Sequence, residues 1–341
     1  MFRKNKTKRG HAVALLSGGL DSILAILIIQ KQDIEVTALT FLTHFDWDIS
    51  DKSSCNGNLS SIAEKFGFTV KSIHLGEKLI NIVKSPKHGY GKNMNPCIDC
   101  RILMLREAKI FMELIKADFV ITGEVLGQRP MSQLRNTLNV VSRDSGLANN
   151  LVRPLSAKLL PETEPEKNGL LNRELLAGIS GRSRKVQLAM AAEFGLEDFL
   201  PPAGGCLLTD PQYSLRLKDL MERKPDFDFN DLNLLRVGRH FRLDDKTRLV
   251  VGRNEQENNR IVEYARPDDL MLEAIETGSP IGLYIYENNE KHLKLAAGIT
   301  ARYCDLKSEP MVEITCINEN DGRRFLVAPA NPQEVQQYQI K

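Results

Sequence analysis

Apolar and polar positions follow two rhythms along the first half of the chain. Ala12-Val13-Ala14-Leu15-Leu16 is a continuous apolar run of strand length, and the stretch from Ile23 to Ile29 that follows it suits a helix. Glu35 to Phe41 is again strand-like, Leu59 to Phe66 predicts a short helix, and Thr69 to His74 alternates as a strand. A helix from about Ile102 to Lys116 leads into the buried-strand run Phe119-Val120-Ile121-Thr122, and Leu151-Val152-Arg153-Pro154-Leu155 offers one strand more. Strands and helices alternating in this order predict an α/β domain: a parallel sheet with helices on both faces, whose ligands gather beyond the carboxyl ends of the strands.

The rhythm changes further along. Pro161-Glu162-Thr163-Glu164-Pro165-Glu166-Lys167 predicts a surface loop or a short capped helix, and an apolar-periodic helix runs to Phe194 after Gly178-Ile179-Ser180-Gly181-Arg182-Ser183-Arg184-Lys185. Arginines beside glycines and serines at a helix start suit a phosphate, of nucleotide or of RNA, as well as they suit a solvated cap. Leu215 to Pro225 reads as a charged linker helix, and an Asp/Asn/Phe-rich run follows to Leu235. Beyond it come short β-type runs at 240–243, 248–251, 281–286 and 311–314, with a helix-like stretch from Asp268 to Glu276, which predict a smaller α+β domain. The expected organisation is a catalytic domain over 1–212, a linker over 213–235 and a second domain over 236–341.

Length and composition narrow the classes. The 341 residues suffice for two domains, and 42% apolar with 26% charged residues is ordinary for a globular chain. No run of eighteen apolar residues exists, so no membrane span is expected, and the basic start from Met1 to Arg9 leads into a strand rather than a secretory apolar region. A cytoplasmic location follows as an expectation. The net charge of +2 proves no nucleic-acid partner, although Arg3, Lys4, Lys6, Lys8 and Arg9 cluster near the start, as a phosphate-seeking arm or a solvated tail. Six cysteines in such a chain are read for metal or catalysis rather than for disulfides.

Between the first strand and the first helix lies Ser17-Gly18-Gly19-Leu20-Asp21-Ser22. Glycines let backbone N–H groups close on an anion, and a helix N-terminus favours phosphate, so the loop reads as a phosphate cradle. The Gly-Lys-Ser/Thr ending of a Walker A loop and the Gly-x-Gly-x-x-Gly of dinucleotide folds are both absent. Ser-Gly-Gly-x-Asp-Ser resembles the pyrophosphate loop of the PP-loop ATPases, which cleave ATP between the α- and β-phosphates and adenylylate a carbonyl oxygen. The resemblance implies a PP-loop, HUP-like fold with Ser17, Gly18, Gly19, Asp21 and Ser22 holding pyrophosphate and Mg²⁺. Members of that family carry a Thr-Gly or Ser-Gly step against the nucleotide, which here is Thr122-Gly123, with Glu124 and Arg129 as further candidates for ribose, metal or phosphate. His44, Asp46, Trp47 and Cys55, past the second strand, are candidates by position only.

Asn95-Pro96-Cys97-Ile98-Asp99-Cys100 and the distant Pro202-Ala203-Gly204-Gly205-Cys206 form the second feature. A Cys-x-x-Cys pair before a helix can place two sulfurs on one metal, and a glycine-rich loop can bring a third close. Three thiolates leave a zinc site one ligand short unless His88 or another cysteine supplies it, whereas an iron–sulfur cluster held by three cysteines keeps one iron open. Buried structural cysteines are the remaining alternative. PP-loop tRNA thiolation enzymes place catalytic cysteines in similar positions, and the 2-thiouridine synthases read Asn-Pro-Asp-x-x-Cys where this chain has cysteine for the aspartate. Resemblance to the iron–sulfur-dependent thiolation enzymes implies a [4Fe-4S] cluster on Cys97, Cys100 and Cys206.

Gly238-Arg239-His240-Phe241-Arg242, Val251-Gly252-Arg253-Asn254-Glu255 and Glu257-Asn258 resemble the RNA-binding module of NFACT proteins. Together the resemblances imply an ATP-dependent tRNA sulfurtransferase that replaces a uridine oxygen with sulfur, 4-thiouridine being favoured over 2-thiouridine. Its partners would be tRNA and a sulfur donor, sulfide or the product of a cysteine desulfurase, with a homodimer left open. The alternatives are an amide-forming ligase of the same loop family, where the three cysteines have no task, and a non-catalytic RNA-binding protein.

Overall fold

The computed structural model describes residues 8–46, 54–199, 206–286, 291–318 and 322–340, with side chains from residue 59 onward in the second of these segments. Arg3, Lys4, Lys6, Trp47, the Cys55 side chain and the Gly204-Gly205 step lie outside the described residues. Two compact units divide the chain, Met1–Leu207 and Leu208–Lys341.

In the first unit the strands are β1 (Gly10–Leu15), β2 (Ile34–Leu42), β3 (Thr69–His74), β4 (Phe119–Thr122) and β5 (Leu151–Val152). All pair in parallel, in the order β3-β2-β1-β4-β5. The helices are α1 (Leu20–Gln30), α2 (Ser54–Phe66), α3 (Gly76–Lys84), α4 (Cys97–Leu114), α5 (Arg135–Asp144), α6 (Glu164–Lys167) and α7 (Lys185–Phe194). Strand alternation divides the core in two. Ala12, Ala14, Phe119 and Ile121 face the side covered by α1 and α2, while Val13, Leu15 and Val120 face α4 and α5. Burial on both faces explains why β1 reads as a continuous apolar run, and burial of α1 on nearly every side explains its lack of a polar stripe. Strand order reverses at β1, with β2 on one side and β4 on the other. The crevice beyond the carboxyl ends of β1 and β4 is therefore the place where such sheets bind ligands.

Two elements differ from the sequence reading. The helix expected from about Ile102 begins at Cys97, immediately after Pro96, whose carbonyl accepts from Cys100 N at 2.8 Å. The last strand stops at Val152, because Arg153 turns inward and Pro154 has no N–H to donate. Of the two readings of 161–167, the short capped helix is the one formed: α6 carries a capping box between Thr163 and Glu166.

The second unit holds α8 (Pro211–Arg223), α9 (Phe229–Leu234), β6 (Arg239–Arg242), β7 (Arg248–Val251), α10 (Glu255–Tyr264), β8 (Leu270–Ala274), β9 (Gly282–Ile285), α11 (Leu293–Ala301), β10 (Val312–Ile317), β11 (Gly322–Val327) and α12 (Pro332–Tyr338). Its sheet is antiparallel, in the order β11-β10-β8-β9-β7-β6. Segment 213–235, expected as a linker beginning with a charged helix, holds α8 and α9, capped by Asp210 and Asp228, and both helices cluster with this unit. One expectation is corrected here. The stretch 268–276 is no helix, because Leu270, Leu272 and Ala274 alternate into the core as β8. Among the described residues no helix is long and apolar enough to cross a membrane.

Candidate functional site

Ser17 to Ser22 form the turn between β1 and α1, at the strand-order reversal. Gly18 has φ 75°, a left-handed conformation that a side chain would strain, so one glycine of the pair is required by backbone shape. Gly19 instead takes an extended conformation as the cap of α1, with no side chain satisfying the first-turn N–H groups. Ser22 ties the loop together: its Oγ donates to Gly19 O at 2.7 Å, and Ser17 N and Ser17 Oγ both approach that Oγ at 3.3 Å. The result is a pre-shaped turn at a helix N-terminus that no side chain caps, suited to phosphate oxygens.

Gly123, just past β4, presses on this loop. A Cβ there would lie 2.5 Å from Ser22 N and 2.6 Å from Asp21 C and O, so the absence of a side chain permits the contact. Gln128 Nε2, on the same connection, donates to Asp21 Oδ2 at 2.6 Å, while Asp21 Oδ1 is buried without a hydrogen-bond partner. An orphaned carboxylate oxygen beside a phosphate cradle fits a divalent cation such as Mg²⁺.

Glu124 is buried, and burial pushes its carboxyl up, but Arg153 and Arg101 outweigh that and hold it below the ordinary value. Arg153 Nε donates to Glu124 Oε2 at 2.8 Å and is itself anchored on Ser142 and the Leu138 carbonyl, while Arg101 Nε approaches Glu124 Oε1 at 3.4 Å. Glu124 therefore braces the end of β4. Oε2 is satisfied by Arg153, whereas Oε1 is buried with the Arg101 approach and no hydrogen-bond partner.

Arg101 also leads to the sulfurs. Cys97 and Cys100 stand on the first turn of α4, one helical turn apart and hence on one face, with Arg101 beside them. Burial pushes the Cys100 thiol up to about 12; Arg101 pulls it down, and charge on Cys206, Cys97 or Asp46 would push it up further. Burial raises Cys97 as well, against the lowering pull of Arg101 and Arg129. Cys206 Sγ accepts from Asn95 Nδ2 at 3.3 Å, which brings the remote cysteine to the segment that carries the pair. The three sulfurs thus share one neighbourhood, and Arg129 stands near Cys97. Among the described residues, however, no group of three or more Cys, His, Asp or Glu is arranged to hold a metal ion. As they stand, the sulfurs are gathered but do not form a closed ligand set.

His88, one option for completing a zinc site, is engaged with Asp99: its ring Nδ1 lies 2.8 Å from Asp99 Oδ1 and its backbone N–H donates to Asp99 Oδ2 at 2.8 Å. His44 stacks edge-on against His74, with 4.9 Å between ring centroids. The sequence reading missed Gln128, Arg101 and Arg153, polar residues with no motif of their own, and gave Asn95, the first residue of the cysteine motif, no role. Loop 178–185 does reach the site, since Gly181 N donates to Leu126 O at 2.8 Å and Gln187 Nε2 to Gln128 Oε1 at 3.1 Å.

In the second unit the arginines singled out for RNA have partners within the fold. Arg239 stacks over Tyr303 at 4.4 Å, Arg242 pairs with Asp219, and Arg253 with Glu257. Cys304 and Cys316 are buried in the core.

Residues 7–158 match the family model described as thiamine biosynthesis protein (ThiI), and residues 238–339 match NFACT protein RNA binding domain. A probable tRNA sulfurtransferase of Thermococcus kodakarensis is 28% identical over 156 residues, which cover 43% of this chain and 37% of that protein. One from Ureaplasma parvum serovar 3 is 32% identical over 155 residues, with the same two coverages. The chain thus spans 37% of the length of these curated relatives. A solved complex of a 4-thiouridine synthetase with RNA and bound ATP is similar over 55% of this chain and 52% of that chain, at 21% identity and a TM-score of 0.35.

Proposed function

We propose that this chain, which carries a ThiI-type domain over residues 7–158 and an NFACT-type RNA-binding domain over residues 238–339, is an ATP-dependent tRNA sulfurtransferase. The observation that carries the reading is a juxtaposition: the phosphate loop touches Gly123 and Gln128, and the next residues of that connection, Glu124 and Arg129, neighbour Arg101 and Cys97. A site that activates with ATP and a site that delivers sulfur would then lie side by side. The probable tRNA sulfurtransferases among its relatives support the same reading.

In the proposed reaction a uridine carbonyl oxygen attacks the α-phosphorus of ATP and pyrophosphate leaves. Hydrosulfide then adds to the activated carbon, AMP leaves with the original oxygen, and a proton is released, so that C=S replaces C=O. Backbone N–H groups of the Ser17–Ser22 loop and the α1 N-terminus bind the pyrophosphate, and Asp21 holds the Mg²⁺ that offsets its charge. Arg129 and Arg101 lie where an anionic intermediate would pass between the two sites. Cys97, Cys100 and Cys206 would draw together on a [4Fe-4S] cluster, which when bound supplies an iron-held sulfur. 4-Thiouridine is the product we favour, and the NFACT-type domain supports tRNA as the partner.

The test is incubation of anaerobically reconstituted protein with ATP, sulfide and unmodified tRNA, followed by chromatography of the digested nucleosides. The expected result is 4-thiouridine together with AMP and pyrophosphate. AMP formation with no thiolated nucleoside would overturn the sulfurtransferase reading in favour of an amide-forming ligase, and 2-thiouridine would overturn only the choice of oxygen.

A further inference from the structure

Behind the phosphate loop lies a chain of three side chains from three separate segments. Gln187, on the first turn of α7, is fully buried and donates through Nε2 to Gln128 Oε1 at 3.1 Å. Gln128 donates in turn through Nε2 to Asp21 Oδ2 at 2.6 Å. The direction of the chain is fixed by chemistry. A flipped Gln128 amide would set its carbonyl oxygen against a carboxylate oxygen, acceptor facing acceptor. Burying Gln187 fully and Gln128 in part to make these contacts costs desolvation, which a merely space-filling role does not explain.

The segments that carry the chain are themselves locked together. Gly181 N donates to Leu126 O, and the buried Ser156 Oγ accepts from Leu126 N at 2.9 Å while donating to Ile179 O at 2.7 Å. The Gln128 and Gln187 backbones are thus held in register before any ligand arrives. With one oxygen of Asp21 tied down, the other, Oδ1, is buried and has no hydrogen-bond partner among the described residues. A carboxylate oxygen in that condition lacks a counter-charge that the protein does not provide.

We propose that Gln128 and Gln187 are positioning residues that hold the Asp21 carboxylate in a single orientation, Oδ2 toward the protein and Oδ1 toward the divalent cation of the bound nucleotide. The inference rests on the phosphate-loop reading above and adds residues that no motif in the sequence marks. A ligating carboxylate held by its outer partner loses little orientation entropy on binding metal, and removing such partners weakens metal binding by about 10–100-fold.

The experiment measures Mn²⁺ affinity by electron paramagnetic resonance, with the full chain and a non-hydrolysable α,β-methylene analogue of ATP and without tRNA, so that turnover plays no part. Gln128→Met keeps the volume and removes the donor. It is expected to weaken Mn²⁺ binding by about 10-fold or more, while affinity for the analogue in the presence of a chelator and the melting temperature stay at wild-type values. Gln187→Met should give a smaller loss of the same kind, and adding it to Gln128→Met should give no further loss, because the two act in series. Should Gln128→Met fold poorly, Gln187→Met carries the test alone through the same split between metal and metal-free affinity. Unchanged Mn²⁺ affinity, equal losses with and without metal, or additive losses in the double variant would overturn the inference. If the wild type binds neither analogue nor Mn²⁺, the phosphate-loop reading falls and takes this inference with it.

Discussion

The phosphate loop and the cysteine set belong to the same unit and are built in opposite ways. The loop is six consecutive residues whose shape comes from its own backbone, with Gly18 left-handed and Ser22 bonded back to Gly19. The cysteine set has two members on the first turn of α4 and a third more than a hundred residues away, brought to that segment by an asparagine. Local bonds complete the first before a ligand binds. Metal would have to complete the second, since the described residues alone make no closed site. Breaking the loop should therefore stop every output of the enzyme, whereas breaking the cysteine set should stop sulfur delivery alone.

The largest effect is expected from Asp21→Ala and Ser17→Ala, which should abolish AMP release from ATP and tRNA with little change in melting temperature, both residues lying at the loop rather than in the hydrophobic core. Retained AMP formation in either variant would contradict the cradle. Cys97→Ala, Cys100→Ala or Cys206→Ala should each abolish thiolation and lose bound iron and sulfide after anaerobic reconstitution, while AMP formation continues. If any single variant keeps both iron and thiolation, that cysteine is outside the set. A smaller loss is expected from Gly123→Ala: the added methyl must displace Ser22 N and the Asp21 carbonyl, and a misplacement of about 1 Å costs on the order of 100-fold in turnover. Steady-state AMP release measures it, and a loss of less than a few-fold would show that the loop tolerates the shift.

The same contrast explains what could be read from the chain. The loop was legible because its chemistry is contiguous and its setting, an apolar run before it and an apolar helix after it, is contiguous too. The parallel sheet was legible for a similar reason, with 69–74 and 119–122 coinciding with β3 and β4. Cys97 and Cys100 were legible by spacing, but their place on a helix was not, because Pro96 starts α4 a turn and more before the apolar periodicity becomes clear. Gln128, Arg101 and Arg153 carry no local signal; they act through partners distant in sequence, at Asp21 and Glu124. Strand β8 was misread because a five-residue alternation ending in Ala, with acidic residues around it, satisfies helix and strand alike until Leu270, Leu272 and Ala274 find a sheet face to bury.

Glu124 joins the two sites, and its arginine partners sharpen the comparison with the smallest expected effects. Arg153 and Glu124 are 7% and 2% exposed, so Arg153→Met leaves a buried carboxylate with only the Thr122 hydroxyl at 3.2 Å and the longer contact to Arg101, and should destabilise the protein by about 3 kcal/mol. Chemical denaturation measures it. The pH dependence has a definite sign. Because the folded carboxyl is held below its ordinary value of 4.5, the unfolded chain binds the proton more readily, so the pair's contribution is complete above pH 4.5 and is lost as pH falls through the folded pKa. In Arg153→Met, burial is no longer outweighed by the nearer arginine, and the carboxyl should rise. Stability would then hold to lower pH relative to its own neutral value, and the acid slope below 4.5 should flatten compared with wild type. An equally steep acid slope in the two proteins would mean that Arg101, with the Thr122 hydroxyl, keeps Glu124 charged, placing the brace of β4 on the cysteine helix rather than on Arg153.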